Sequence, residues 1–301
     1  MVSATLAATC WGLATVMSKG ALAQVPPIML LVIQLASSVV FLWTWLLLRG
    51  VRLAAIRDAF RIAWLGLLEP GLAYVLALIG LADASAANAT LIGSSEAIMI
   101  AVLSAVLLRE RLSMGFFALS AVALTGLLTA LGVGGTMSGG VTGNGLLALG
   151  TGVAAIYVVL SGRLMGDRDP ILVVACQHLV AGALALLLLP IEIMHGHRFA
   201  FEAMPPSIWA LAVGSGIVQY ALAFSFYLAA MRTIATSVVG AFLYLGPIVG
   251  LAGAFVFLGE RFSPLQIAGA VLTILALLAL SWSHGAKPAP DAAASPRTLR
   301  P

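Results

Sequence analysis

Ten long apolar runs limit what this chain can fold into. They cover approximately residues 3–22, 27–48, 61–82, 86–108, 113–132, 144–165, 170–190, 206–230, 234–258 and 264–283. About 20 apolar residues in a helix cross the ~30 Å of hydrocarbon in a bilayer. Breakers part the runs: Pro26-Pro27, the basic stretch 49–61, Gly139-Gly140, Asp169-Pro170, Pro205-Pro206 and Pro264. Of the 301 residues, 62% are hydrophobic and only 9% charged. A soluble domain carries about 25% charged residues, so no core of this size could hide the apolar excess, and lipid must be the solvent for much of the surface. Within lipid every backbone polar group needs an internal partner, which favours helices. A barrel would alternate polar and apolar positions, and these runs do not. The expectation is an all-α integral membrane protein with ten transmembrane helices.

Charge sets the expected orientation. With the N-terminus cytoplasmic, twelve of the fifteen Lys and Arg residues fall on the inner side: Arg49, Arg52, Arg57, Arg61, Arg109, Arg111, Arg163, Arg168, Arg232, Lys287, Arg297 and Arg300. Lys19, Arg198 and Arg261 fall outside. This is a strong positive-inside bias, and it supports an even number of spans. The net charge of +4 is modest and lies in short loops, so it reads as an orientation signal and not as a nucleic-acid surface. Cys10 and Cys176 both lie within apolar runs and suggest neither a disulfide framework nor a zinc site. The first run lacks a basic leader and an A-x-A-type exit, so it reads as a span and not as a cleaved signal. Residues 284–301 are rich in Ala and Pro and read as a disordered cytoplasmic tail.

The order within the chain comes from a repeat. Glu110-Arg111-Leu112-Ser113 follows the fourth run, and Glu260-Arg261-Phe262-Ser263 follows the ninth, 150 positions later. Leu107-Leu108 is echoed by Phe257-Leu258, and Ala89-Thr90 by Ala235-Thr236. Two five-span halves are expected, residues 1–138 and 139–283, with the Gly-rich stretch 132–144 as the linker between them. Five is odd, so the second half inserts inverted. Inverted repeats recur in secondary transporters, with the site near the midplane between the halves. A duplication that serves packing alone is the plainer alternative.

Trp11-Gly12 in the first run and Leu-Leu-Arg-Glu-Arg-Leu-Ser at 107–113 resemble the EamA-type branch of the drug/metabolite transporter superfamily. So do Tyr244-Leu245-Gly246-Pro247 and Phe257-Leu258-Gly259-Glu260-Arg261. The resemblance covers roughly residues 5–283. It implies a pseudo-symmetric ten-helix bundle with a central cavity, no enzymatic activity and no cofactor. It further implies export or exchange of amino acids, related metabolites or drugs across the bacterial inner membrane. The first half departs from the pattern at Arg109, where the second has Gly259.

An ionisable side chain at a helix centre costs at least ~2.5 kcal/mol on insertion scales, so it usually faces a cavity or a partner. Four lie within runs: Lys19, Glu69, Glu96 and His178. Glu96 sits near the middle of the fourth run, where it could bind a substrate ammonium or carry a proton. A protonated carboxyl bonded between helices is the alternative. Glu69 precedes Pro70-Gly71, a pair that loosens a helix and either borders a cavity or makes a packing kink. Trp11, Thr15, Ser18 and Lys19 share one helical face, expected to look inward. Lys19 would then meet an anionic group or a carboxylate, or else snorkel to the interface. His178, beside Gln177, reads as a packed histidine, with proton relay as the alternative. Tyr157 with Ser161, and Gly216, Tyr220 and Tyr227 beside Gln219, make amphipathic faces suited to a cavity wall, as does Tyr244. Interface anchoring is the alternative for Tyr157 and Tyr227.

The expected substrate-binding set is Glu96, Glu69, Trp11, Lys19, Tyr157, Gln219, Tyr220 and Tyr244. Gly246, Gly250 and Ala254 form a small-residue row that signals close helix contact. His195-x-His197 is a weak metal signal, and no metal is expected.

A secondary transporter of small organic solutes, working by alternating access as an exporter, is the expected function. The expected partners are a small-molecule substrate and the bilayer, with protons as a candidate coupling ion. No Walker A sequence is present, which argues against direct ATP drive. A passive channel, a membrane enzyme acting on lipid-borne substrates and a structural subunit are the alternatives. Cysteine-accessibility mapping is expected to place positions 110 and 260 on opposite faces of the membrane. Labelling of both from one face would overturn the inverted duplication.

Overall fold

The computed structural model describes residues 1–22, 24–83, 92–110, 112–132, 140–194, 204–258 and 262–284. The expected tail from 285 on, Arg111, Glu260, Arg261 and His195-x-His197 lie outside the described residues. The described residues are helical and contain no strand. In chain order the helices are α1 (Val2–Leu22), α2 (Pro27–Leu48), the short α3 (Leu53–Phe60), a wide-turned segment Leu67–Leu72 leading into α4 (Ala73–Asp83), and α5 (Glu96–Leu107). Then come α6 (Met114–Ala130), α7 (Val141–Leu164) and α8 (Pro170–Met194). Next, α9 (Pro206–Ser215) and α10 (Phe224–Met231) flank a second wide-turned segment, Gly216–Ala223. Last are α11 (Thr236–Ala241), a tight turn Phe242–Tyr244, α12 (Leu245–Leu258) and α13 (Pro264–His284).

Among the described residues, six helical stretches are long and apolar enough to cross a membrane: Pro27–Leu48, Val141–Leu164, Pro170–Met194, Pro206–Met231, Thr236–Gly253 and Pro264–Ser283. Shorter apolar helices run over Leu67–Ala77, Ile92–Leu107 and Met114–Ala130. The third apolar run is not one helix. Glu69 has extended backbone (φ −145°, ψ 131°), as the Cδ of a following proline disfavours helical backbone in the residue before it, and Pro70 also lacks the N–H that would continue the ladder.

Helix pairing is selective. α6 packs along α13, α4 along α7, α2 along α8, and α1 along α12, α9 and α10. α5 lies on α7 and α11. The closest approaches are made by glycines. A Cβ on Gly12 would strike the Gly246 backbone, and one on Gly126 would lie 2.8 Å from the Gly269 carbonyl. Lipid gives helices little hydrophobic reason to associate, so small residues that admit close van der Waals contact decide which faces meet.

Polar groups clamp the ends. At one end Arg168 makes a two-pronged pair with Asp58, Nε–Oδ2 and Nη2–Oδ1 both at 2.9 Å. Arg49 lies 4.0 Å from Asp169 at the same end. At the other end of the antiparallel α2–α8 pair, Glu192 takes the backbone N–H groups of Ile28 and Met29, each at 2.9 Å. α2 needs this acceptor because its own cap residue is Pro26, which has no side-chain oxygen. Glu110 treats α11 alike, accepting from Thr236 N at 2.8 Å and Ser237 N at 3.1 Å, where the cap residue is Ala235.

The repeated motif acquires a local meaning. Ser113 caps α6 through the Phe116 N–H at 3.1 Å, and Ser263 offers the same to Gln266 N at 3.3 Å ahead of α13. Arg109 adopts φ +56°, the left-handed conformation that ends α5 and suits glycine. The glycine at the echoing position 259 is the residue such a turn prefers.

Arg109→Gly is therefore expected to raise stability by about 1 kcal/mol, read by thermal unfolding in detergent. Glu192→Ala should lower it by about 1–2 kcal/mol in the same assay by stripping the cap from α2.

Candidate functional site

The break before Pro70 turns Glu69 into the bundle, where only 9% of it is exposed. Glu96 opens α5 and is partly exposed. The two carboxyl groups lie within electrostatic reach of each other. Tyr74 and Tyr227 sense both, and Tyr157 and Tyr220 sense Glu69. Neither carboxylate accepts a hydrogen bond from, or pairs with, a described basic residue; the ion pairs at Arg49, Arg61 and Arg168 all lie with Asp58 or Asp169. Two acids without a described cation, walled by aromatic rings, make a place that favours a positive charge.

Aromatic packing builds the wall. The Trp11 ring meets Phe224 at 5.3 Å and Tyr227 at 5.0 Å, both edge-on. Tyr74 leans on Tyr220 at 5.6 Å, and Tyr157 meets Phe224 at 6.1 Å. Tyr157, Tyr220, Tyr227 and Tyr244 are each almost wholly buried. The hydroxyls of Tyr227 and Tyr244 and the indole N–H of Trp11 are buried with no partner among the described residues. These are uncharged donors that a bound polar group could satisfy.

A polar chain runs beside them. Gln34 Nε2 donates to Ser18 Oγ and to Ser215 Oγ, both at 2.9 Å. Ser18 Oγ donates to Gln219 Oε1 at 3.1 Å, and Gln219 Nε2 reaches the Tyr74 hydroxyl at 3.5 Å. This chain links α1, α2, α4 and the Gly216–Ala223 segment. The Tyr157 hydroxyl donates to Gln177 Oε1 at 3.0 Å.

Ring contacts and the Gln219–Tyr74 bond bring Trp11, Tyr157, Gln219 and Tyr220 into one connected region, with Glu69 and Glu96 within electrostatic reach. Tyr244 is buried on the turn between α11 and α12. Lys19 sits on α1, and its side chain lies outside the described residues. The expected polar stripe on α1 divides: Ser18 joins the network, whereas Thr15 is exposed and bonds to the Trp11 carbonyl at 2.8 Å. His178 is fully buried, holds Ser38 Oγ at 2.8 Å through Nδ1, and packs edge-on against Phe224 and Tyr220. Its contacts are those of a packed histidine.

Sequence reasoning passed over Gln34, Tyr74, Ser215 and Glu192. A signal existed for Gln34, an amide within an apolar run. Glu192 lies just past the seventh run as read, 170–190, yet α8 continues to Met194. A groove of about 770 Å³, lined by Phe41, Trp45, Trp209 and other mainly apolar residues, lies between α2 and α9. None of the residues of the carboxylate cluster lines it.

Comparison with known proteins converges on one family. A family model described as the EamA-like transporter family matches residues 1–132 and 141–282. A "probable terminal-alkyne amino-acid exporter" of Streptantibioticus cattleyicolor is 30% identical over 232 residues, covering 77% of this chain and 76% of that protein. An "uncharacterized transporter" of Methanothermobacter thermautotrophicus is 28% identical over 221 residues. That match covers 72% of this chain, which spans 63% of the relative's length. A solved crystal structure superposes with a TM-score of 0.79 at 20% identity, covering 93% of this chain and 95% of that one, a likeness of fold.

Tyr74→Phe is expected to weaken the network by removing the group that Gln219 reaches. Its expected signature is a loss of at most about 1 kcal/mol in stability, with a larger proportional change in transport than in unfolding temperature.

Proposed function

Since the chain belongs to the EamA-like transporter family, we propose that it exports amino acids or related amine-bearing solutes by alternating access. Membership makes it a multi-pass membrane protein that handles a small molecule within a bilayer. The finer reading rests above all on one observation. Glu69, buried in the bundle, and Glu96 lie within electrostatic reach of each other, and neither has a described cation to neutralise it. A substrate ammonium would supply the missing charge, and a proton would do so on the return step. Buried donors on Trp11, Tyr227 and Tyr244 suit the carboxylate end of an amino acid. The exporter from Streptantibioticus cattleyicolor favours the same cargo class.

The packing pattern favours two equivalent halves. Exchanging the first five apolar runs with the last five maps α4–α7 onto α1 with α9–α10, and α5–α7 onto α1–α12. The α2–α8, α6–α13 and α5–α11 pairs map onto themselves. Such a pattern is what halves related by a pseudo-two-fold axis would produce. Arg49, Arg61 and Arg168 gather with Asp58 and Asp169 at one end of the bundle, in keeping with a cytoplasmic face there and with cytoplasmic termini in a bacterial inner membrane.

Counterflow in proteoliposomes, with a panel of radiolabelled amino acids and amines, tests the reading. Uptake against preloaded cargo is expected for the unchanged protein. Glu96→Gln should cut it about tenfold or more, as loss of a charge-assisted contact does, and flatten its dependence on pH. Unaltered rate and pH dependence would remove Glu96 from its role, and flux without counterflow would favour a channel.

A further inference from the structure

Two carboxylates cap helices other than their own, and they do so in different settings. Glu192 joins α2 and α8, which pack along their length and are tied again at the far end by Arg49 and Asp169. That is scaffolding. Glu110 joins α5 to α11, at the end where α5 finishes and α11 begins. Among the described residues, α5 packs on α11 and touches the Phe242–Tyr244 turn, but makes no comparable contact with α12.

The meeting point is tight. A Cβ on Gly240 would lie 2.7 Å from the Ile100 side chain, and one on Gly162 would strike the Thr236 hydroxyl. Thr236 and Ser237 are each 1% exposed. The left-handed turn at Arg109 reverses the chain after α5, and Glu110 follows it directly. Its two oxygens take the first two N–H groups of α11, which Ala235 cannot satisfy. A charged acceptor on orphan amides at a helix start holds firmly yet parts without breaking a covalent bond. α5 also carries Glu96, so movement at this contact is delivered to the carboxylate site.

We propose that the Glu110 carboxylate is the latch of a gate at this end of the bundle. It holds α5 against α11 while that face is closed, and it must release the Thr236 and Ser237 amides for cargo to pass there. The proposal rests on the alternating-access reading, and it predicts that the described conformation is closed on the Glu110 side.

The test reads the gate without cargo. In a Cys10→Ala, Cys176→Ala background, Ser104→Cys places a thiol one turn beyond Ile100 on the same face of α5, at a site 0% exposed. Reaction with a membrane-impermeant maleimide is followed in nanodiscs. Slow labelling is expected with Glu110 intact, and about tenfold faster labelling with Glu110→Ala, in line with the loss of a helix cap. Glu110→Gln, which keeps one good acceptor, should fall between. A Ser38→Cys reporter, buried beside His178, should stay unreactive in every variant. Equal rates at position 104 would overturn the latch. So would a parallel rise at position 38, which would mean general loosening, or a rise at 104 produced equally by Glu192→Ala. Labelling needs no substrate, so a failure of counterflow would count against the transport reading alone.

Discussion

A helix that begins inside or near lipid leaves amide N–H groups with nothing to bond, and the architecture depends on how those groups are satisfied. α2 and α11 are two of the helices that start after residues with no side-chain oxygen, Pro26 and Ala235. Each is met by a glutamate from a distant part of the chain. A backbone requirement thereby becomes a tertiary joint: α2 is tied to α8, and α11 to α5. Where the local sequence does offer an oxygen, as at Ser113 and Ser263, the helix is capped from within and no long-range joint forms.

Between the joints, the bundle sorts its residues by what lipid tolerates. Glycines and alanines take the closest crossings, such as Gly12 on Gly246 and Gly126 on Gly269. Amides and hydroxyls are gathered inward, where Gln34, Ser18, Ser215 and Gln219 satisfy one another. Other buried polar atoms have no partner among the described residues, among them the Trp11 indole N–H, His178 Nε2 and the hydroxyls of Tyr227 and Tyr244.

Much of this could be read in advance because lipid imposes a one-dimensional rule. Run length, breakers and the distribution of Arg and Lys show where helices belong. α2 spans 27–48 as its apolar run does, and α13 begins at Pro264 as the breaker implies. The odd residue within a run, such as Glu69 or Glu96, stands out for the same reason. Less legible were features set by what lies across the bundle. Arg109 departs from the second copy of the motif, and only the structure shows that it adopts a left-handed backbone. The seventh apolar run fades near 190, yet α8 continues to Met194 and carries Glu192 to its task.

The sequence alone determined that the chain is helical and membrane-embedded, and which side chains are too polar to be idle, because those conclusions follow from solvation residue by residue. The tertiary structure decided partnership. It gave Glu110 to α11 and Glu192 to α2, and closed Ser38 onto His178. Partnership depends on which faces of distant helices fit within a few ångströms. That is fixed by the shapes of many small residues together, and no single stretch of sequence carries it.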